Sequence, residues 1–303
     1  MRIGIIGLGK MGGIHLQKYL QMPDVEVVGV VDVNPQCLDR FSDSCSAGVY
    51  AQVDELLSQG LDAVSVCVPT FLHYETGMQV IERGVPMLME KPLAETVEQG
   101  EELVAAAREK GVPLMVGHVE RFNPAVVKLK EVISEPVISV QIERIGPFPF
   151  RIQDVGVVTD LGPHDIDLAR FITESDYADV HGVISSTVSP HEDTAHISAK
   201  MENGALAMIN MNWVTPYRSR RIKLATEHAF FEADLMNQEV VEYGRFDDDA
   251  QNYTVKNHFV ARCDQISAEL TAFLTALKTG NEMPITGEDG LASMRIIEDI
   301  LKK

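Results

Sequence analysis

The 303-residue chain has no excess of positive charge: 26 Lys and Arg stand against 45 Asp and Glu, a formal net charge of −19. Such a balance repels the nucleic-acid backbone and anionic membrane surfaces, so an anionic ligand would need a local basic patch. The chain also lacks an apolar run approaching the length of a membrane span, and its apolar start at Ile3 is too short and too glycine-rich for a secretory signal. Cysteine is scarce. Cys37, Cys45, Cys67 and Cys263 form no CxxC pair and match no histidine at ligand spacing, which points to reduced structural thiols rather than to a disulfide framework or a metal site. Internal repeats and low-complexity segments are missing too. With 45% hydrophobic and 23% charged residues, the composition describes a soluble globular protein, expected in the cytoplasm.

What is present is concentrated first in residues 1–34. The strand-like Ile3–Ile6 runs into Gly7-Leu8-Gly9-Lys10-Met11-Gly12, and a second apolar run, Val25–Val31, ends in Asp32. Glycines at the first, third and sixth positions of such a turn give a tight bend at Gly7, close backbone approach to a pyrophosphate at Gly9, and helix-on-strand packing at Gly12. The helix opening through Met11 offers its N–H groups and positive dipole end to phosphates. Asp32, about 25 residues after Gly7, stands where a carboxylate accepts both ribose hydroxyls of an adenosine. It is followed by Val33, Asn34 and Pro35. A 2′-phosphate would find repulsion and no adjacent Arg there, so NAD is expected rather than NADP.

From residue 1 to 118, short β-branched runs alternate with helical segments. Strands are expected at Ile3–Ile6, Val25–Val31, Ala63–Val68, Met87–Glu90 and Leu114–Gly117, and helices at Gly12–Gln21, Pro35–Phe41, Val53–Gln59, Leu72–Arg83 and Val97–Lys110. This is the pattern of a doubly wound parallel sheet whose ligands lie beyond the strands' carboxyl ends. From 119 to 303 the texture changes to α+β: helical segments at Pro124–Ile133 and Asp160–Ile172, then strands at Val137–Ile145, Val180–Val188, Thr194–Met201, Ala205–Trp213, Ile222–Ala225, Phe230–Ala233 and Glu239–Tyr243. Their short turns indicate a mostly antiparallel sheet. Two helices, Cys263–Lys278 and Gly287–Lys302, end the chain. The division expected is therefore an NAD-binding Rossmann domain at 1–118 and a domain for substrate and oligomerisation at 119–303.

A nicotinamide enzyme acting on an alcohol needs a base, a group that polarises the oxygen and a pocket that aims the carbon–hydrogen bond. Lys91 ends a strand and precedes Pro92, which disfavours helical backbone at Lys91 and helps send its side chain out of the sheet. The plainer alternative is a surface lysine. Asp160 and His164 are four residues apart near the start of an expected helix, so the carboxylate can orient the imidazole and stabilise its charge. The plainer alternative is an N-cap aspartate beside a core or solvated histidine. Asp165 and Asp167 are read as capping or structural groups. Tyr217-Arg218-Ser219-Arg220-Arg221 is the densest basic cluster. It suits a diphosphate and a uracil, or a contact between subunits; Arg144 and Arg151 are alternative diphosphate partners.

The combination of GLGKMG, PTFLHYE (Pro69–Glu75), EKP (Glu90–Pro92) and DLGPHDID (Asp160–Asp167) resembles the Gfo/Idh/MocA oxidoreductase family over essentially the whole chain. The resemblance implies that Lys91 is the catalytic lysine and that Asp160 and His164 match the family's second-domain acid and histidine. It implies that Thr70, His73 and Glu90 line the nicotinamide half of the cofactor site and that Lys91–Pro92 is a cis bond. Gly117 to Pro124, GHVERFNP, looks most like the branch that includes UDP-N-acetylglucosamine 3-dehydrogenases, which would set Arg121 and Asn123 toward a sugar. The expected activity is NAD-dependent oxidation of a secondary sugar hydroxyl, with either His164 or Lys91 as base. A free polyol such as an inositol is the alternative substrate, and a non-catalytic NAD sensor the alternative class. A homodimer or homotetramer is expected through the open face of the second sheet.

Overall fold

The computed structural model describes residues 1–42, 47–149, 155–244 and 252–302. Two compact units emerge, Met1–His118 with Ile266–Met294, and Val119–Gln265 with Arg295–Lys303.

In the first unit the order is β1 (Arg2–Ile6), α1 (Lys10–Tyr19), β2 (Glu26–Val31), α2 (Pro35–Ser42), β3 (Gly48–Tyr50), α3 (Val53–Leu57), β4 (Ala63–Val66), α4 (His73–Glu82), β5 (Met87–Glu90), α5 (Val97–Lys110) and β6 (Leu114–Gly117). The six strands pair in parallel in the order β3-β2-β1-β4-β5-β6. The order reverses between β1 and β4, and a ligand crevice belongs at that switch. Buried Ile3, Ile5, Val64, Val66, Met87 and Met89 make the strands continuous apolar runs, as sheets covered on both faces require. Helix starts follow local chemistry: the Thr96 hydroxyl accepts from Gln99 N–H at the start of α5, and Gly111 ends it in the left-handed region at φ 64°.

Residues 266–294 were expected with the second domain and instead join the first. The physical reason lies at the edge of the sheet. Val116 N–H donates to Ile285 O at 3.2 Å, and Met115 bridges Thr286, so this segment covers β6. Its helix buries Leu270 and Phe273.

The second unit contains α6 (Pro124–Val132), β7 (Ser139–Pro147), α7 (Val157–Thr173), β8 (Tyr177–Ser185), β9 (Thr194–Met201), β10 (Leu206–Asn212), β11 (Val214–Ala225), β12 (Ala229–Asp234), β13 (Glu239–Gly244) and β14 (Val255–His258). The last helices of the chain are α8 (Gln265–Thr279) and α9 (Gly287–Leu301). The sheet order is β14-β13-β12-β11-β7-β10-β9-β8, antiparallel except where β7 meets β10. Strict alternation buries one face. Ala195, Ile197, Ala199 and Met201 of β9 and Ala207, Ile209 and Met211 of β10 point into a core shared with Ile166, Ala169 and Ile172 of α7. Three strands departed from expectation: β3 and β14 are short edge strands not anticipated, and β11 runs back to Val214, well before Ile222.

Candidate functional site

The glycine turn has the geometry its spacing implies. Gly7 sits at φ +89°, and a Cβ there would meet Cys67 O at 2.7 Å. A Cβ on Gly12 would lie 1.8 Å from Gly7 O, so α1 can approach β1 only without a side chain at that position. At Gly9 a Cβ would meet nothing within 4 Å. Its lack of a side chain leaves open space rather than relieving a protein contact, as a cradle for a phosphate group needs. The first backbone bond of α1 is Gly13 N–H to Gly9 O at 3.0 Å, so the N–H groups of Lys10, Met11 and Gly12 open the helix without intrahelical acceptors. A cleft of about 340 Å³ lies alongside, lined by Gly9, Lys10, Gly13, Gln17 and Cys37 among others. Asp32 follows β2. Its Oδ2 accepts from Leu8 N–H at 2.6 Å and its Oδ1 from Asn34 N–H at 2.7 Å, which fixes the carboxylate beside the turn.

Thr70 opens a short 3-10 turn, Thr70–Leu72, just after β4. His73 is buried, with Nδ1 2.7 Å from Pro92 O and Nε2 2.9 Å from Val68 O. Burial lowers its pKa below the ordinary 6.5, the carbonyl contacts offsetting only part of this. A neutral ring has one N–H and donates to one of these carbonyls at a time. His73 thus ties the segment after β4 to the one after β5. Lys91 is half-buried, and the Lys91–Pro92 peptide is cis.

Behind Lys91 the sequence reading missed a buried cluster. Glu90 Oε1 lies 3.2 Å from His15 Nε2, and Cys67 Sγ lies 3.6 Å from His15 Nδ1. Glu90 Oε2 accepts from Lys91 N–H at 3.3 Å. Burial pushes the Glu90 carboxyl up, but the close approach and charge of His15 and the charges of Lys91 and His73 more than reverse this and hold it below the usual range. Burial also works against a charged His15, and its Cys67 and Glu90 partners overcome it, raising the imidazole well above 6.5. The Cys67 thiol is pushed up, chiefly by burial. Glu269 of α8 is fully buried with neither carboxylate oxygen hydrogen-bonded, and burial followed by the nearby Glu90 charge raises it well above the usual range. A signal was available: Gly12, His15, Leu16 and Tyr19 form the buried stripe of α1 at helical spacing.

In the second unit, Asp160 and His164 stand one turn apart near the start of α7, both half-buried. The start of α7 is built by Glu192. Its backbone carbonyl accepts from Val157 N–H at 2.8 Å and its Oε1 from Val158 N–H at 3.2 Å, and a Cβ on Gly156 would collide with its carboxylate. Pro163 removes one helix hydrogen bond between the two residues. Just after His164 the helix is held by guanidinium pairs at Asp165 and Asp167. Arg144 Nε donates to Asp165 Oδ1 at 2.7 Å and its Nη1 to Glu120 Oε1 at 2.9 Å, while Arg220 Nη1 reaches Glu120 Oε1 at 2.8 Å. Arg121 clasps both Asp167 oxygens at 2.7 and 2.6 Å, with its guanidinium carbon 4.9 Å from the Phe171 ring centre.

These contacts bear on the expected sugar site. Arg144 was expected as a diphosphate partner, but it is 3% exposed because β7 alternation turns it, with Val140 and Ile142, into the core. Asn123 caps α6, its Oδ1 accepting from Ala125 N–H at 3.0 Å and its Nδ2 donating to Leu235 O at 3.0 Å. Tyr217, Arg218 and Arg221 are exposed on β11. Arg151 and Cys45 lie outside the described residues. Lys91 belongs to the first unit and Asp160 and His164 to the second.

Comparison with known proteins agrees with this architecture. Residues 1–118 match "Oxidoreductase family, NAD-binding Rossmann fold" and residues 142–232 the "GFO/IDH/MocA C-terminal domain". The chain belongs to the Gfo/Idh/MocA oxidoreductase family. It is 29% identical to UDP-N-acetylglucosamine 3-dehydrogenase of Acidithiobacillus ferrooxidans, covering 100% of this chain and 96% of that protein. A solved structure of the enzyme of that name from the same organism superposes with a TM-score of 0.93 at 27% identity, covering 99% of this chain and 96% of that one. Myo-inositol 2-dehydrogenase of Thermotoga maritima is 26% identical, with 96% of this chain and 92% of that protein covered. The protein is an NAD-binding oxidoreductase. Among the described residues no helix is long and apolar enough to cross a membrane.

Proposed function

We propose that the protein oxidises one secondary hydroxyl of a sugar by hydride transfer to NAD, the sugar being UDP-N-acetylglucosamine at its third carbon or a related UDP-sugar. The observation that carries this reading is the full-length similarity to a UDP-N-acetylglucosamine 3-dehydrogenase, in a chain that keeps Lys91, Asp160 and His164. Bound NAD supplies the hydride acceptor. Gly7, Gly9, Met11 and Gly12 hold its pyrophosphate and Asp32 its ribose, while Thr70, His73 and Glu90 shape the nicotinamide half. Lys91 donates a hydrogen bond to the reacting hydroxyl and stabilises the developing alkoxide. His164, oriented by Asp160, removes the proton. Arg121, backed by Asp167, meets the sugar, whereas Asn123, 2% exposed and spent on the start of α6 and on Leu235 O, is withdrawn as a sugar contact. With Arg144 neutralised in the core, the diphosphate contact passes to Arg151 or to the exposed Arg218.

One observation favours a second substrate class. Arg121 and Arg144 both spend their charge on internal carboxylates, which suits a neutral polyol, as does the similarity to a myo-inositol 2-dehydrogenase. Subunits pair through the outward face of the second-unit sheet, where Val183, Leu206 and Met208 are 73%, 56% and 52% exposed; sedimentation of a monomer would refute that part.

The decisive assay is NADH formation from NAD with UDP-N-acetylglucosamine, its uronic acid, inositols and free hexoses in parallel. Turnover of the UDP-sugar alone, with a KM that climbs with ionic strength, is expected; turnover of polyols alone rejects the nucleotide-sugar reading. Lys91→Ala should lose about 10²–10⁴-fold in kcat while NAD affinity survives, and unchanged turnover removes Lys91 from the mechanism.

A further inference from the structure

We infer that His15 is a positioning residue that keeps Glu90 as a carboxylate behind Lys91, so that the site discriminates the oxidised, positively charged nicotinamide from the reduced, neutral one. The inference rests on the part of the proposed function that sets Glu90 beside the nicotinamide, and not on the identity of the sugar.

The geometry is that of a wedge. His15, on the buried stripe of α1, places Nδ1 against Cys67 Sγ at 3.6 Å and Nε2 against Glu90 Oε1 at 3.2 Å. The other Glu90 oxygen is spent on Lys91 N–H. Glu90 ends β5 at the carboxyl edge of the sheet, the edge where Rossmann ligands lie. A Cβ on Gly117 of the neighbouring β6 would stand 3.3 Å from that carboxylate, so glycine leaves it room. The groups facing the pair are Cys67 after β4, Tyr19 of α1, His73 of α4, Lys91 and Glu269 of α8. Of these, Glu269 has no hydrogen-bond partner, and burial and the Glu90 charge raise its carboxyl well above the usual range.

Two buried carboxyls and one imidazole cannot all be charged in an apolar interior. The arrangement that fits these distances pairs an imidazolium with the Glu90 carboxylate 3.2 Å away. The three donors His15, Cys67 and Glu90 also lie within 4.8 Å of one another. Yet His15 turns a different nitrogen to each partner, so one ion could not take all three without the ring turning. An ion pair between His15 and Glu90 at 3.2 Å fits the geometry, and a chelate does not.

Oxidised nicotinamide carries a positive charge that the reduced ring lacks. A carboxylate fixed at the strand end therefore favours NAD over NADH, and the favour vanishes when that carboxyl is protonated. The test is the ratio of NAD to NADH dissociation constants, measured by calorimetry on the full chain without sugar. In His15→Leu, burial acts on Glu90 with its principal partner gone. The ratio should rise about fivefold at pH 7 relative to the wild-type protein and fall back toward it at pH 9, as Glu90 ionises unaided. Glu90→Gln should show a similar rise at both pH values. His15→Gln retains a neutral donor and should give a smaller rise; it also serves if His15→Leu does not fold. Histidine ¹⁵N spectra of the wild-type protein should show both His15 ring nitrogens protonated at pH 8. An unchanged ratio in Glu90→Gln overturns the link to the nicotinamide. A ratio that moves in Glu90→Gln but in neither His15 variant, or a rise in His15→Leu that persists at pH 9, overturns the role of His15. Absence of sugar turnover leaves this measurement standing, so failure of the substrate reading is told apart from failure of the inference.

Discussion

In the second unit Arg144 is buried between Glu120 and Asp165, Arg220 adds a further cation to Glu120, and Arg121 covers both oxygens of Asp167. In the first unit Glu90 and Glu269 are buried near His15, and Glu269 has no hydrogen bond at all. A guanidinium does not give up its proton, so the second cluster has one arrangement and behaves as a brace for α7. An imidazole and two carboxyls can redistribute protons, so the state of the first cluster is set by proton count. The brace lies around the helix that carries His164, and the titratable group lies behind the strand end that carries Lys91.

The largest test of this contrast is Arg144→Leu. It leaves Glu120 and Asp165 buried with like charges and should destabilise the protein by about 3–5 kcal/mol in urea unfolding. Arg144→Leu combined with Asp165→Leu should recover a good part of that, because the unpaired carboxylate goes with its partner. A double variant no better than the single would mean that packing, not charge, is what Arg144 supplies.

Next in size is a change that should leave stability alone. A Cβ at Gly9 meets no protein atom, so Gly9→Ala should fold with an unchanged Tm and lose about tenfold or more in NAD affinity, since the methyl occupies phosphate space. Gly12→Ala should lose Tm as well, because its Cβ meets Gly7 O at 1.8 Å. Equal Tm losses in the two variants would argue that both glycines serve packing only.

The smallest effects expected are in pH dependence, and they differ in sign from one buried group to another. Glu269 and His15 have folded pKa values above their unfolded ones. The stability they contribute is complete below the unfolded values and is lost as pH rises through the folded ones. Glu120 is held low, burial being outweighed by Arg144 and Arg220, so its contribution is present above the unfolded value and lost as pH falls through the folded one. Hydrogen-exchange protection corrected for intrinsic rates should therefore weaken toward alkaline pH in peptides from α1 and α8 and toward acid pH in peptides that carry Glu120. Glu269→Gln should gain stability over the wild-type protein as pH rises from 5 to 8; parallel curves would show that Glu269 is already ionised.

Much of the fold was legible because it is written in local periodicity. Parallel strands such as Met87–Glu90 are short apolar runs bounded by turns, and β9 alternates without a break. Edge strands β3 and β14 carry three and four residues and bury little, so they left no pattern to read. The same periodicity held information about the site that composition obscured. Arg144 continues the inward set Val140 and Ile142, and His15 and Glu269 sit on buried helical faces with Tyr19 and Phe273. A charged residue on an apolar stripe reads as exposed until its partner is known, and the partners are distant in the chain.

By itself the amino-acid sequence determined the glycine turn and Asp32, the parallel and antiparallel halves and the motif residues Lys91, Asp160 and His164. Each of these rests on spacing within a few tens of residues. Tertiary structure alone decided that residues 266–294 cover the edge of the first sheet, that Arg144 is buried between Glu120 and Asp165, and that positions 15, 67, 90 and 269 share one interior. The physical reason is that burial and charge pairing depend on which strands lie side by side and which helices cover them, and no local pattern carries that order.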